Sequence, residues 1–115
     1  MAAGTLDLVI DQGSDWEMPV VVESGGILVP FVSASARMQA RGDYDETQTV
    51  IDISSPASGI VIDAPSSMLT LSLTAAQTAA LAPSQYVYDL EFTNDGKVEK
   101  LFRGTLIVRP EVTKS

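Results

Sequence analysis

Tyr86-Val87-Tyr88-Asp89-Leu90-Glu91-Phe92-Thr93 runs directly into Asn94-Asp95-Gly96 and then into a second segment, Val98–Val108, rich in Leu, Ile, Val and Phe. Side chains alternate between the two faces of a β-strand. Tyr86, Tyr88, Leu90 and Phe92 therefore share one face, and Asp89, Glu91 and Thr93 share the other with Val87. Asn, Asp and Gly tolerate the positive φ that tight hairpin turns demand, so strands over Tyr86–Thr93 and Val98–Val108 are expected to pair as a hairpin. One face of that hairpin is apolar and needs a second layer to cover it.

Working outward, short segments rich in Val, Ile, Leu, Thr and aromatics recur between clusters of Gly, Pro, Ser, Asn and Asp, the rhythm of an antiparallel β fold. Strands are expected near Leu6–Asp11, Trp16–Glu23, Ser35–Arg41, Thr49–Ile53, Ile60–Asp63 and Met68–Leu73, with turns at Gly25-Gly26, Ser54-Ser55-Pro56 and Ala64-Pro65-Ser66. Leu69, Leu71 and Leu73 alternate with Met68, Thr70 and Ser72, and Ile51 and Ile53 bracket Asp52. Two packed sheets account for these half-buried patterns. One helical segment interrupts them: Thr74 and Gln77 have capping-box spacing and Pro83 stops the run. Too short to be stable alone, it is expected to cross one end of the sheets and be clamped by Leu81. The expected fold class is all-β: an antiparallel, immunoglobulin-like β-sandwich with one short crossover helix near residues 75–81, formed by residues 1–115 as a single domain.

Composition narrows the chemistry. The 115 residues contain no cysteine and no histidine, so a disulfide frame, a thiolate metal site and the commonest general base are all missing. Fifteen acidic against seven basic residues give a net charge of −8, which opposes binding to a phosphate backbone. No apolar run approaches the roughly 20 residues of a membrane span, and no basic residue precedes an apolar segment at the N-terminus, so neither membrane insertion nor a secretory signal is expected.

Local constellations also fail as active sites. Gly42-Asp43-Tyr44-Asp45-Glu46 clusters carboxylates, but an EF-hand counted from Asp43 wants Gly and Glu where Gln48 and Ser54 stand. No nucleophile elbow surrounds any Ser, and Gly25-Gly26 lacks the Gly-Lys-Thr of a phosphate loop. Asp89 and Glu91 lie two apart on one strand face, a spacing that could serve a glycosidase but usually marks a solvated sheet surface. The expectation is no enzyme, no catalytic residue, no metal ligand and no cofactor.

Three features point to contacts between chains instead. Pro19 lies inside a strand and lacks an N–H, which places that strand at an edge or a bulge; Trp16, Met18, Val20 and Val22 share the core parity. Ile27-Leu28-Val29-Pro30-Phe31-Val32 is apolar at both parities, as in a strand covered on both faces or one buried against another chain. Charge is unevenly spread: residues 1–36 hold five acids and no base, whereas residues 97–115 hold two acids and five bases. Neighbouring strands of one subunit can satisfy that asymmetry, and so can head-to-tail contacts between identical chains. Ile27, Leu28, Phe31, Lys100, Arg103 and Arg109 are the candidate assembly contacts.

Four phrases in order, Leu6-Asp7-Leu8-Val9-Ile10-Asp11-Gln12-Gly13, Ala36-Arg37-Met38-Gln39-Ala40-Arg41, Tyr86–Phe92 and Arg103–Thr113, carry a resemblance across nearly the whole chain. Together they resemble a family of small tailed-phage structural proteins, similar to the N-terminal β-sandwich domain of baseplate proteins that carry receptor-binding proteins. The chain departs from that pattern at Val29-Pro30-Phe31-Val32-Ser33, where relatives often have a polar turn. The resemblance implies a non-enzymatic virion protein of the tail, baseplate or neck, assembled in the host cytoplasm and working as a homo-oligomer beside other phage structural proteins. Its alternatives are a head-decoration or fibre-anchoring protein and, further off, a carbohydrate-binding module on the host surface.

Overall fold

A computed structural model describes residues 4–43, 45–55 and 59–112. Among these residues, eleven strands, one α-helix and one 3-10 turn (Ala64–Ser66, between β8 and β9) follow in chain order: β1 (Gly4–Thr5), β2 (Leu8–Asp11), β3 (Trp16–Val21), β4 (Glu23–Ser24), β5 (Ile27–Leu28), β6 (Ser35–Arg41), β7 (Ile51–Ser55), β8 (Ile60–Asp63), β9 (Met68–Leu73), α1 (Ala75–Ala79), β10 (Ser84–Asn94) and β11 (Lys97–Arg109). The larger sheet has the order β1-β11-β10-β6-β7, with β2 also on β11; the smaller has the order β3-β9-β8, and β4 and β5 form a separate small hairpin. The all-β class and the packing of sheets around one core stand as the alternation predicts.

The hairpin that decided the fold is present in full. Asn94 pairs with Lys97, and Asp95 and Gly96 form the turn at φ 52° and 78°, the positive pair of a type I′ turn. Tyr86, Tyr88, Leu90 and Phe92 are buried, and they meet Leu69, Leu71 and Leu73 of the smaller sheet in one core with Ile10, Met38, Ile51, Ile53 and Leu106. β11 bulges opposite Leu90 and Glu91, which lets Leu101 turn inward and become buried. Pro19 sits on β3, which pairs only with β9, so its missing N–H falls on a free edge.

Several expectations are corrected. The sandwich is not purely antiparallel, because β1 and β2 both run parallel to β11. The expected single strand Leu6–Asp11 is interrupted at Leu6-Asp7, with β1 and β2 keeping one register along the same edge of β11 (Thr5↔Arg103, Leu8↔Leu106). Of the apolar Ile27–Val32 stretch, only Ile27–Leu28 is strand. The expected Thr49–Ile53 strand is shifted to Ile51–Ser55, so Ser54 and Ser55 belong to a strand rather than a turn, while Pro56 lies outside the described residues, as do Tyr44 and Thr113.

The crossover forms as the capping box requires. Thr74 Oγ1 accepts from Gln77 N at 3.2 Å and Gln77 Oε1 accepts from Thr74 N at 2.8 Å. Asp15 Oδ1 takes a further free donor, Ala75 N, at 2.7 Å. The helix ends at Ala79, short of residue 81, and Leu81 is buried as expected.

Candidate assembly surface

The β4–β5 hairpin turns through Gly25 and Gly26, both at positive φ, and lifts Ile27 and Leu28 off the body. Ile27 is 73% exposed and Leu28 47%. The base of this hairpin is firmly tied. Val29 N donates to Val22 O at 3.0 Å, and Ser67 Oγ donates to Val29 O at 2.6 Å. Asn94 accepts from Val32 N at 2.6 Å and donates to Pro30 O at 3.0 Å. Phe31 faces inward and is half-buried, its ring 4.9 Å from that of Phe92. The structure thus separates the apolar candidates into an exposed pair and an anchoring ring.

Lys100, Arg103 and Arg109 all project from the outer face of the larger sheet, yet their surroundings differ. Arg109 grips Asp11 of β2 through two bonds of 2.6 and 3.0 Å, and this holds the Asp11 carboxyl below the usual carboxylate range. Lys100 lies 2.7 Å from Glu91 and 3.4 Å from Asp89; the hydrogen bond to Glu91 raises its ammonium pKa. The two carboxylates noted for their spacing on β10 thus serve one lysine. Arg103 stands opposite Asp89 in the strand register, but its guanidinium makes no ion pair among the described residues.

Arg41 on β6 is the residue the sequence pattern passed over. Its guanidinium donates to the carbonyls of Glu46 and Thr47 at 2.9 and 2.5 Å and to Gln39 Oε1 at 2.9 Å, so it organises the acidic loop, and its charge also helps hold Asp52 ionised. With Arg103, Lys100, Asp89, Gln39 and Val87 it rims a shallow depression of about 320 Å³. The signal was its outward parity beside Arg37 and Gln39. Arg37 binds Asp52 with two bonds, 3.0 and 2.8 Å, and that contact holds Asp52 below its ordinary pKa.

At the other end of the sandwich, Gln12 and Gly13 tie the end of β2 to Leu81 and Glu111. Gln12 Nε2 donates to Leu81 O at 2.9 Å and its Oε1 accepts from Glu111 N at 3.0 Å. A Cβ on Gly13, at φ 85°, would lie 2.5 Å from the Glu111 carboxylate. These contacts fix Glu111, just beyond β11. Among the described residues, no group of three Asp or Glu side chains is placed to hold a metal ion, and no helix is long and apolar enough to cross a membrane. No protein-family model matches the chain, and a search of curated proteins returns no significant match.

Proposed function

We propose that this chain is a non-enzymatic assembly module of a tailed-phage particle, an adaptor in the tail, baseplate or neck that works through contacts with copies of itself and with other particle proteins. The observation that carries the reading is the Ile27–Leu28 tip: two aliphatic side chains held out in water by a hairpin whose base is fastened on both sides. Exposing such residues has a cost of roughly 1.5–3 kcal/mol per fully exposed aliphatic side chain relative to burial, and a rigid mount keeps them ready to be covered without further ordering.

The fold supports the same reading. The smaller sheet β3-β9-β8 and the larger run β11-β10-β6-β7 match the B-E-D and G-F-C-C′ orders of an immunoglobulin-like sandwich. Tyr86 Oη donates to Ala82 O, four residues upstream at the start of β10, at 2.6 Å, the contact of a tyrosine corner. A scaffold of this kind hosts many functions, so the assembly reading rests on the tip and on the resemblance of the four residue phrases to small tailed-phage structural proteins.

The test replaces Ile27 and Leu28 together with Ser. Both are exposed, so the isolated variant keeps its far-UV spectrum and melting temperature, and its incorporation into assembled particles falls sharply against wild type. Normal incorporation of a folded variant overturns the reading. Phe31 is left intact because its ring is part of the packing beneath the tip.

A further inference from the structure

The two outer sheet faces differ in sign. The outer face of the larger sheet carries Arg37, Arg41, Lys100, Arg103 and Arg109, five of the seven basic residues, but only four of the fifteen acids, Asp11, Asp52, Asp89 and Glu91. On the smaller sheet, the residues directed away from the core are Glu17, Pro19 and Val21 of β3, Met68, Thr70 and Ser72 of β9, and Val61 and Asp63 of β8. This second face has no base, and Val61 and Val21, on its two edge strands, stand 67% and 51% exposed.

Resting on the assembly reading above, we infer that a second copy of this chain docks the outer face of its smaller sheet onto the depression between Arg41 and Arg103, with Glu17 and Asp63 meeting the two guanidiniums. Both arginines lack an ion pair within their own subunit among the described residues, and Val87 lies between them for the valines to cover. The spacing fits. Arg41 and Arg103 lie two strands and two residues apart, about 12 Å at standard strand separation and rise, whereas Glu17 and Asp63 lie two strands and four residues apart, about 16 Å. Long guanidinium side chains span that difference by leaning outward.

Donor and acceptor faces lie on opposite sides of the sandwich, so the contact is heterologous and propagates from copy to copy into a ring or a fibre. Exposed ion pairs contribute little by themselves. The valines supply affinity, and the charges fix register and reject the wrong face.

Charge exchange tests the pairing in the full chain. One variant carries Arg103→Glu, and the other carries Glu17→Lys with Asp63→Lys. Sedimentation over a range of concentrations is expected to show that wild type self-associates and weakens with added salt, that each variant alone associates at least about tenfold more weakly, and that an equimolar mixture regains one wild-type contact, because the unchanged Glu17 and Asp63 of the arginine variant meet the unchanged Arg41 and Arg103 of the lysine variant, while the reciprocal contact sets a lysine against Arg41 and growth beyond pairs stays weak. Circular dichroism and thermal melting check each fold. Arg103→Ser replaces Arg103→Glu if the latter unfolds, with the same loss alone and the same restoration by the lysine variant expected, because its acidic face still meets that variant's unchanged Arg41 and Arg103. Wild type monomeric at every concentration, variants that associate as wild type does, or a glutamate–lysine mixture no better than its parts would each overturn the inference. A monomeric wild type that still enters particles in a manner dependent on Ile27 and Leu28 sinks this pairing and leaves the assembly reading intact. Restored association in the mixture, with normal incorporation of the tip variant, does the reverse.

Discussion

Tyr88 Oη donates a 2.5 Å hydrogen bond to the carbonyl oxygen of Leu6, at the point where the first strand breaks. Opposite Tyr88 in the register is Gly104, where an added Cβ would stand 2.5 Å from the same carbonyl oxygen. Leu6 N donates to Arg103 O at 3.1 Å, and Asp7 Oδ1 accepts from Thr105 N at 3.2 Å. The interruption between β1 and β2 takes Thr105 N and Leu6 O out of the backbone ladder; here an aspartate accepts from the first, a tyrosine donates to the second, and a missing side chain leaves room for the carbonyl.

Tyr88→Phe removes the phenol and keeps the ring, so it is expected to lower stability by about 0.5–1.5 kcal/mol, the usual net worth of one hydrogen bond. Tyr88→Ala is expected to cost about 3–5 kcal/mol because it also empties a packed core site. Burial, with a smaller contribution from Asp7, pushes the Tyr88 phenol up to about 12. Its ordinary value is near 10, so between those limits the unfolded chain releases a proton that the folded chain keeps, and stability falls as pH rises. Tyr88→Phe lacks that loss. Urea midpoints at pH 8 and pH 11.5 are expected to show the gap between the two proteins narrowing at the higher pH, and a constant gap refutes the assignment.

Gly104→Ala introduces a methyl group against backbone, where no flexible side chain can yield. The backbone at Leu6-Asp7 must shift, at an expected cost of about 1–3 kcal/mol. Amide exchange localises the effect: Leu6 and Thr105 lose protection first, while the β10–β6 ladder keeps it. Wild-type protection at those two amides overturns the close approach.

The elements legible in the sequence are those decided by local rules. β6, β8 and β9 fall on the expected residues, because period-two burial and flanking turn residues fix them without reference to the rest of the chain. The capping box of Thr74 and Gln77 is likewise local. What escaped was decided by distant partners. The break at Leu6 depends on Gly104 and Tyr88, about 80 to 100 residues away in sequence. The exposure of Ile27 and Leu28 follows from Ser67 and Asn94 holding the chain on either side, whereas hydropathy alone assigned the whole Ile27–Val32 stretch to one fate. Among the candidate contacts, the positive charge of the last strand was legible, but its partition into paired Lys100 and Arg109 and an open Arg103 required the register.

Arg37 grips Asp52 from the neighbouring strand, with Gln39 adding a 3.2 Å bond. A carboxyl whose folded pKa is depressed contributes stability above its unfolded value and loses it as pH falls through the folded one. In Arg37→Gln the Asp52 carboxyl is expected to titrate at higher pH than in wild type, read from its side-chain carbon resonance. Unchanged titration would show that the bidentate contact does not persist in solution. Added salt is expected to shrink the difference, since both groups are largely exposed.

Thr78 is 0% exposed. Its hydroxyl accepts from Gly13 N at 3.0 Å and lies 2.8 Å from Ser14 O, so one side chain from α1 satisfies the chain that leaves β2. Thr78→Val keeps the volume and strands both groups, at an expected cost of about 1–3 kcal/mol. Thr78→Ser keeps the hydroxyl and loses only a methyl, so it is expected to cost less than the valine variant despite its smaller volume. The reverse order in urea unfolding would show that packing, not hydrogen bonding, makes this site.

Asn94 reads in the sequence as part of the hairpin turn, yet the turn itself is made by Asp95 and Gly96, and the Asn94 side chain serves the segment beneath the apolar tip. It accepts from Val32 N and donates to Pro30 O, while Asp95 N donates to Val32 O at 2.7 Å. Asn94→Ala therefore leaves the hairpin closed and loosens residues 30–32. The expected result is faster exchange at the Val32 amide, unchanged exchange through β10 and β11, and a modest loss of global stability, because the lost bonds are exposed ones that water replaces. If the rigid mount matters to the Ile27–Leu28 tip, the same variant incorporates into particles less well although every apolar side chain is present. Normal incorporation together with fast Val32 exchange would show that the tip needs its side chains and not its anchoring, and protected Val32 exchange would show that the Asp95 bond holds the segment without Asn94.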